Sequence, residues 1–238
     1  MKNDRNILRE LQNSMENVRG HLQVIETKVP VERQMEYFRF SEAILNNYSK
    51  NSSVEEQMEV LTSTASSPKE IKYALAFLAI SGDVKAYRAI EAYRATHTDE
   101  WTEMSLMQAK ITLETEFSDE RQIFISTGLG GKGDRLRFYA FFKSKDGKNF
   151  TDYQIKLIEK EIPYSIQNYQ GVLEEIQIQD NYFTLLFLIH LQIDIKKMLE
   201  ETINECNQYG DFINKGFIIT NVRAFTEDEI RNELNRIS

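Results

Sequence analysis

The sequence QIFISTGLGGKGDRLRFYAFFK, residues 122–143, marks the point where the chain changes from helical patterns to strand patterns. Residues 122–126 are apolar and β-branched, and residues 135–143 form a long aromatic run, so both segments predict strands. The glycine-rich residues 127–134 between them predict a loop. We therefore expect a β-hairpin here, and we expect it to open a domain whose fold differs from that of the residues before it.

Residues 1–118 predict an all-α domain of short helices in tandem. Ser53 with Glu56 and Ser67 with Glu70 are capping boxes, which mark helix starts. Residues 73–80 are apolar nearly all round, so their helix is expected to lie inside the domain. The pattern fits either an array of stacked helical hairpins, as in a solenoid, or a compact bundle.

Two further helices are expected to direct apolar side chains toward the same core. One begins at Pro30, where proline is tolerated in the first turn, and the other begins after Thr98. Their predicted core residues are Met35, Phe38, Ile44 and Leu45 in the first helix, and Trp101, Met104, Met107 and Ile111 in the second.

The N-terminal residues carry apolar side chains at alternating spacings of three and four, which is the pattern of a helix that pairs with another helix. The partner is either the next helix of the chain or a second copy, so a homodimer is left open. The residues of this seam are Leu8, Leu11, Met15, Val18, Leu22 and Ile25.

Residues 119–238 predict an α+β domain in the order hairpin, helix, hairpin, helix, strand, helix. Thr151, Asp194 and Thr226 supply helix caps, and Pro163 is expected to end the first of these helices. Such an order is typical of helices packed on a mainly antiparallel sheet. The remaining predicted strands are residues 172–179, 182–193 and 216–222.

The composition limits the classes of function. The chain has 238 residues and a net charge of −8, which disfavours indiscriminate binding to nucleic acid. Cys206 is the single cysteine, so neither an intrachain disulfide nor a cysteine metal cluster is available. The N-terminus lacks the apolar core of a signal peptide, and no apolar run has the length of a membrane span. We expect a cytoplasmic location.

Gly128, Gly130 and Gly133 match the spacing G-x-G-x-x-G, but the context does not fit a dinucleotide site. That motif requires a helix after the loop, whereas the residues after Asp134 predict a strand. The loop is either a hairpin tip or a nest of backbone N–H groups that binds an anion. In the second case Gly131 belongs to the nest, and Lys132 and Arg135 assist it.

The same segment is locally basic and aromatic. Residues 131–148 hold six cations and two carboxylates, for a net charge of +4. Strand alternation places Arg137, Tyr139, Phe141 and Lys143 on one face, and this run partly matches the RNA-recognition strand pattern. If that face is open to solvent, it suits single-stranded nucleic acid or an acidic peptide; if a helix covers it, the rings are packing.

No pattern in the sequence indicates a catalytic centre, a metal site or a cofactor. No acid or nucleophile motif of a catalytic site lies near His190, which favours a satisfied histidine at the end of the sheet over a general base. Cys206 lies on an apolar helix stripe, where cysteine behaves as a small hydrophobe. We therefore expect a non-enzymatic adaptor that contacts a protein partner through the helical domain and an anionic or acidic ligand through the hairpin. The alternative is an RNA- or nucleotide-binding module that uses residues 128–143.

Overall fold

The computed structural model describes residues 21–46, 53–117 and 122–236, and these fall into two compact units. The helical unit spans Arg19–Gly128, and the α+β unit runs from Leu129 onward. Helices dominate the first unit and an antiparallel sheet dominates the second, which confirms the predicted fold class.

In the helical unit the described helices form a bundle around one central helix. That helix, Pro68–Ile80, is buried at six consecutive positions from Ala74 to Ala79, and it contacts each of the other four. Its alanines allow the close approach of its neighbours. The five helices are α1 (Val31–Asn46), α2 (Val54–Thr62), α3 (Pro68–Ile80), α4 (Val84–Arg94) and α5 (Glu100–Phe117).

The helix starts lie where the capping residues predict them. Ser53 and Ser67 each accept a hydrogen bond from the backbone N–H three residues later, and the glutamate there bonds back to the cap. Thr151 and Thr226 form the same box in the α+β unit. These contacts satisfy backbone donors that a helix end otherwise leaves without partners.

Helix α1 turns a different face to the core from the one that we predicted. Met35, Phe38 and Leu45 are exposed, so their assignment to the core is wrong, whereas Ile44 is buried as expected. Gln34 lies inside in their place, because its amide finds partners there. Its Nε2 donates to the Val29 carbonyl at 2.7 Å and to the Thr127 carbonyl at 3.2 Å, and its Oε1 accepts from Ser126 Oγ at 2.7 Å.

The helical unit also contains a small parallel sheet. Its strands are β1 (His21–Val24) and β2 (Gln122–Ile125), which pair in register along their whole length. The predicted helix through Leu22 is therefore wrong at its C-terminal end, and β2 does not pair with residues 135–143 as the hairpin prediction required. Both errors have one cause: the pairing joins segments about a hundred residues apart, which local patterns do not reveal.

The earlier residues of the predicted N-terminal seam, Leu8 to Val18, lie outside the described residues. The homodimer through that seam remains a prediction.

The α+β unit has the βαββαβ order of ferredoxin-like folds, with additions at both ends. Its sheet runs β7-β4-β6-β5 with antiparallel neighbours, and β3 pairs with the first two residues of β4. The elements are β3 (Gly131–Lys132), β4 (Arg135–Ser144), α6 (Asp152–Asn168), β5 (Val172–Ile178), β6 (Tyr182–His190), α7 (Ile195–Asn207), β7 (Ile213–Thr220) and α8 (Glu227–Asn235).

Two layers of helix enclose the central strands of this sheet. Phe138 and Phe142 of β4 are buried on the face opposite Tyr139 and Phe141, and the Phe142 ring stacks on Phe183 at 4.7 Å. The opposite face, with Tyr139 and Phe141, contacts residues of α8. Pro163 lies within α6 and does not end it, so that prediction is wrong; buried Ile162 and Ile166 flank the proline and hold the helix to the core.

Among the helices in the described ranges, none combines the length and the apolar character needed to cross a bilayer.

Candidate binding sites

Arg137, a predicted ligand-binding residue, forms its contacts with other residues of the α+β unit. Its side chain is only 9% exposed, and its guanidinium forms a bidentate pair with the Glu174 carboxylate, with Nη2 at 2.8 Å from Oε1. Its Nη1 donates to the Leu129 carbonyl at 2.7 Å, and its backbone N–H donates to the Gly130 carbonyl at 3.0 Å. Arg137 therefore fixes the glycine segment to the sheet.

The predicted glycine nest is largely inside the protein. Gly128, Gly130 and Gly131 are buried, and the Leu129 N–H donates to the Asn221 carbonyl at 3.0 Å. Gly130 has φ +64°, a left-handed conformation that glycine adopts without strain. The exposed part is the tip beyond β3.

The hairpin tip carries Lys132 and Arg135, two cations of the predicted ligand site. Gly133, with φ +61°, and Asp134 form a two-residue turn of the kind that favours glycine at its first position. Lys132 is exposed and makes no ion pair within the described part of the chain. Arg135 is half-buried and donates from Nε to the Gln170 carbonyl at 3.2 Å.

His190 has an acid partner that the sequence did not reveal. It lies opposite Arg135 on the neighbouring strand, and its Nε2 is 3.1 Å from Asp134 Oδ2. The Gln192 N–H donates to Nδ1 at 3.3 Å, which leaves the proton on Nε2 for Asp134. Strand register brings His190 and Asp134 together, and the sequence pattern did not indicate this contact.

Tyr139 and Phe141 are packing residues under α8, the outcome that we expected if a helix covered this face. Their relative exposures are 7% and 3%, and their ring centroids lie 5.6 Å and 6.2 Å from that of Phe225. Burial raises the pKa of Tyr139 above its usual value.

The other cations of this basic segment have partners. Lys143 Nζ donates to the Arg236 carbonyl at 2.8 Å and to the Glu233 carbonyl at 3.3 Å, at the C-terminal end of α8. Lys145 pairs with Asp211, and Lys148 pairs with Asp146 at 3.1 Å. Among the described cations of this segment, Lys132 and Arg135 have neither an ion pair to a carboxylate nor a contact with α8, whereas Lys145 and Lys148 are exposed but paired.

Cys206 is fully buried on α7, as its apolar stripe indicated. Burial is the main cause that raises the pKa of its thiol to about 12, with smaller contributions from Glu161 and Glu205. The thiol is therefore neutral near neutral pH and unsuited to nucleophilic attack. In the described ranges, no three His, Cys, Asp or Glu side chains converge in a geometry that could hold a metal ion.

A second candidate site surrounds Trp101 in the helical unit. The Trp101 Nε1 donates to the Lys72 carbonyl at 3.1 Å, and Lys72 Nζ lies 4.6 Å from the ring centroid. Tyr37 and Phe40 meet the ring edge-on at 5.1 Å and 5.2 Å. These contacts hold the ring rigidly between α1 and the start of α5.

Trp101 lines two clefts. One, of about 570 Å³, is lined by apolar and charged residues together: Met35, Phe40 and Trp101 with Glu32, Glu36 and Arg39. The other, of about 480 Å³, is lined in part by Tyr37, Lys72 and Asp99.

The outer side of α1 continues this apolar surface. We name Met35, Phe38 and Leu45 the α1 stripe; their relative exposures are 49%, 41% and 58%. Apolar periodicity did not indicate this site, because it predicted that the stripe lies in the core. The available signal was that α1 has more apolar residues than one core face needs.

Comparison with known proteins identifies no family. No family model matches the chain, and no curated protein matches it. Among solved structures, a presumed transposase from Deinococcus radiodurans R1 aligns with 42% of this chain and 88% of its own, at 14% identity and a TM-score of 0.37. A likeness this distant carries no inference about function.

Proposed function

We propose that this chain is a non-enzymatic cytoplasmic adaptor whose helical unit binds a helix of a protein partner. The observation that carries the proposal is the exposed α1 stripe beside Trp101. Large apolar side chains that lie together on a surface, next to a rigid aromatic ring, are typical of protein-contact sites.

The spacing of the stripe indicates the form of the partner. Met35 and Phe38 are three residues apart, and Phe38 and Leu45 are seven apart, which is the repeat by which one helix packs along another. The cleft beside Trp101 provides a pocket for one larger apolar side chain. The partner segment is therefore an amphipathic helix.

The hairpin tip is proposed as a second, smaller contact for an anionic group. Lys132 is exposed, and Arg135 and His190 lie side by side on adjacent strands. Asp134 beside them lowers the local positive charge, so we expect weak binding of one phosphate or carboxylate group. The RNA-binding alternative has less support, because Arg137, Tyr139 and Phe141 are buried.

The proposal is tested by isolating the tagged full chain from its native cells, identifying the protein that accompanies it, and measuring the affinity of the purified pair. In a Met35→Gln/Phe38→Ser variant we expect the affinity to fall by about tenfold or more, as loss of interface anchors does. Val84 on α4 is equally exposed in the same unit, so Val84→Gln is the matched control and should change the affinity by less than about twofold.

Equal binding by the stripe variant and the wild type would contradict the proposal. So would a partner whose binding depends on the α+β unit alone.

A further inference from the structure

Helix α8 covers an aromatic face of the sheet in the α+β unit. Tyr139, Phe141, Tyr182, Leu186 and Ile218, which we name the covered face, form a cluster with Phe225, Ile230 and Leu234. Phe225 precedes α8, and the other two lie four residues apart on it. Tyr139 and Phe141 of this face are the aromatic residues of the strand pattern that suits single-stranded nucleic acid or an acidic peptide.

Helix α8 makes few apolar contacts with the covered face. None of its residues is fully buried, and its apolar contacts come from the half-buried Ile230 and Leu234. A helix of nine residues is not stable alone in water, so α8 depends on those contacts. The segment before it, Val222 to Ala224, is exposed.

The cover is also incomplete. A cavity of about 210 Å³ remains between the end of α8 and the sheet, lined by Phe141, Lys143, Gly216, Ile218 and Glu233 among others. Glu233, near the C-terminal end of α8, is the residue of that helix that lines this space.

The charges of α8 indicate which kind of helix the covered face binds. Within Glu227–Asn235 there are four carboxylates and one arginine, so the helix is acidic. Lys143 rises from the edge of the covered face and donates to the carbonyl oxygens of Glu233 and Arg236 at the end of the helix. An ammonium group there stabilises the negative end of a helix dipole.

We propose that the covered face is a docking site for an acidic amphipathic helix of a partner protein, and that α8 is an internal competitor that this helix displaces. The resident helix shows the chemistry that is recognised: two apolar residues four apart, acidic flanks, and a C-terminal end that meets Lys143. The site lies in the α+β unit and does not rest on the contact proposed for α1.

A partner helix can displace α8 because α8 leaves part of the covered face unfilled. An intramolecular segment competes at an effective concentration on the order of millimolar, so α8 blocks weak ligands. A helix that also fills the cavity beside Phe141 gains contacts that α8 does not make. The arrangement therefore selects for tight partners.

The test uses the full chain with Ile230→Asn/Leu234→Asn, which removes the two anchors of α8. The probe is a labelled, capped peptide with the sequence of residues 225–236. We expect the peptide to bind this variant about tenfold or more tightly than the wild type, because the internal competitor is lost. Lys143→Ala in the variant background should weaken the peptide by about threefold to tenfold.

The control is Asp228→Asn/Arg231→Asn, which changes exposed residues of α8 and leaves the anchors in place. It should bind the peptide as the wild type does. Amide hydrogen exchange of residues 227–235 should be faster in the anchor variant only, while amides of β4 and β6 stay protected in both and show that the sheet is folded.

Continued protection of α8 in the anchor variant would overturn the proposal, as would equal peptide affinity for the anchor variant and the wild type. A single-stranded oligouridine that binds the anchor variant more tightly than the peptide would overturn the assignment of a helical partner. A peptide lengthened by one turn, with leucine four residues beyond the Leu234 position, should bind more tightly still; no gain would contradict the role given to the cavity.

Discussion

The guanidinium of Arg137 joins three separate parts of the α+β unit. It reaches Glu174 on β5 and the Leu129 carbonyl in the glycine segment from its own position on β4. A buried pair of this kind matters mainly when one member is removed, since the other charge then lacks a partner. The sequence placed Arg137 correctly beside Tyr139 and Phe141, but it could not show Glu174, which lies 37 residues further along.

Arg137→Met should therefore destabilise the protein by about 2–4 kcal/mol, because it removes the bidentate contact to the Glu174 carboxylate and the hydrogen bond to the Leu129 carbonyl. Arg137→Met/Glu174→Leu should recover part of that loss. Urea denaturation followed by circular dichroism measures both. A single variant within about 0.5 kcal/mol of the wild type would show that the pair has no structural role.

Cys206 should be unreactive in the native protein. Its thiol pKa of about 12 lies above the usual value, so at pH 7–9 the reactive thiolate is scarce. We expect iodoacetamide to label Cys206 slowly under native conditions and rapidly in denaturant, as read by mass spectrometry. Rapid native labelling would contradict the burial of this residue.

Among the elements, the helix starts were predictable and the orientation of α1 was not. A capping box is a local contact over four residues, so Ser53, Ser67, Thr151 and Thr226 could be read directly. The inward face of α1 depends instead on hydrogen-bond partners for Gln34 that come from residues 126 and 127. Those partners are far away in sequence, so apolar periodicity alone indicated the wrong face of α1 as the buried one.

The two faces of α1 should respond differently to substitution. Phe38→Ser and Leu45→Gln should each change the free energy of unfolding by less than about 1 kcal/mol, because the side chains are exposed. Ile44→Ala on the inner face should cost about 2–4 kcal/mol. Thermal denaturation distinguishes the cases; comparable losses at all three positions would show that the stripe belongs to the core.

The docking of α8 should weaken in acid. The pKa of Glu229 is lowered from 4.5 to about 2, mainly by the hydrogen bond from Arg223 and also by the backbone of Thr226. Because the pKa of Glu229 is lower in the folded state, the contribution of its carboxylate to the stability of α8 is complete above about pH 4.5. That contribution is lost as the pH falls through about 2. The protection factors of amides 227–235, which are exchange rates corrected for the intrinsic rate at each pH, should fall over this range, and they should fall less in Glu229→Gln.

At the scale of the whole molecule, the fold class and the β5–β6 hairpin followed from the order of elements, and the pairing of strands distant in sequence did not. Alternating hairpin and helix patterns were enough to predict an antiparallel α+β unit after an all-α unit. The pairing of β1 with β2 depends on contacts across the entire helical unit. The same limit applies to the Asp134–His190 contact, which exists only because β4 and β6 are neighbours.

The proposed sites in the two units should act independently. Lys132→Ala/Arg135→Ala should reduce binding of inorganic pyrophosphate, measured by calorimetry at low salt, and leave the affinity for the helical-unit partner within about twofold of wild type. Met35→Gln/Phe38→Ser should do the reverse. Loss of both activities in either variant would contradict independent sites.

The most direct test of the α1 stripe as a partner surface is site-specific photo-crosslinking in native cells. A photoreactive phenylalanine analogue at position 38 should yield one discrete adduct with a protein partner, and the same analogue at position 84, exposed on α4, should not. The adduct at position 38 should also disappear when Met35→Gln is added. No adduct at position 38, or the same adduct from both positions, would contradict the account.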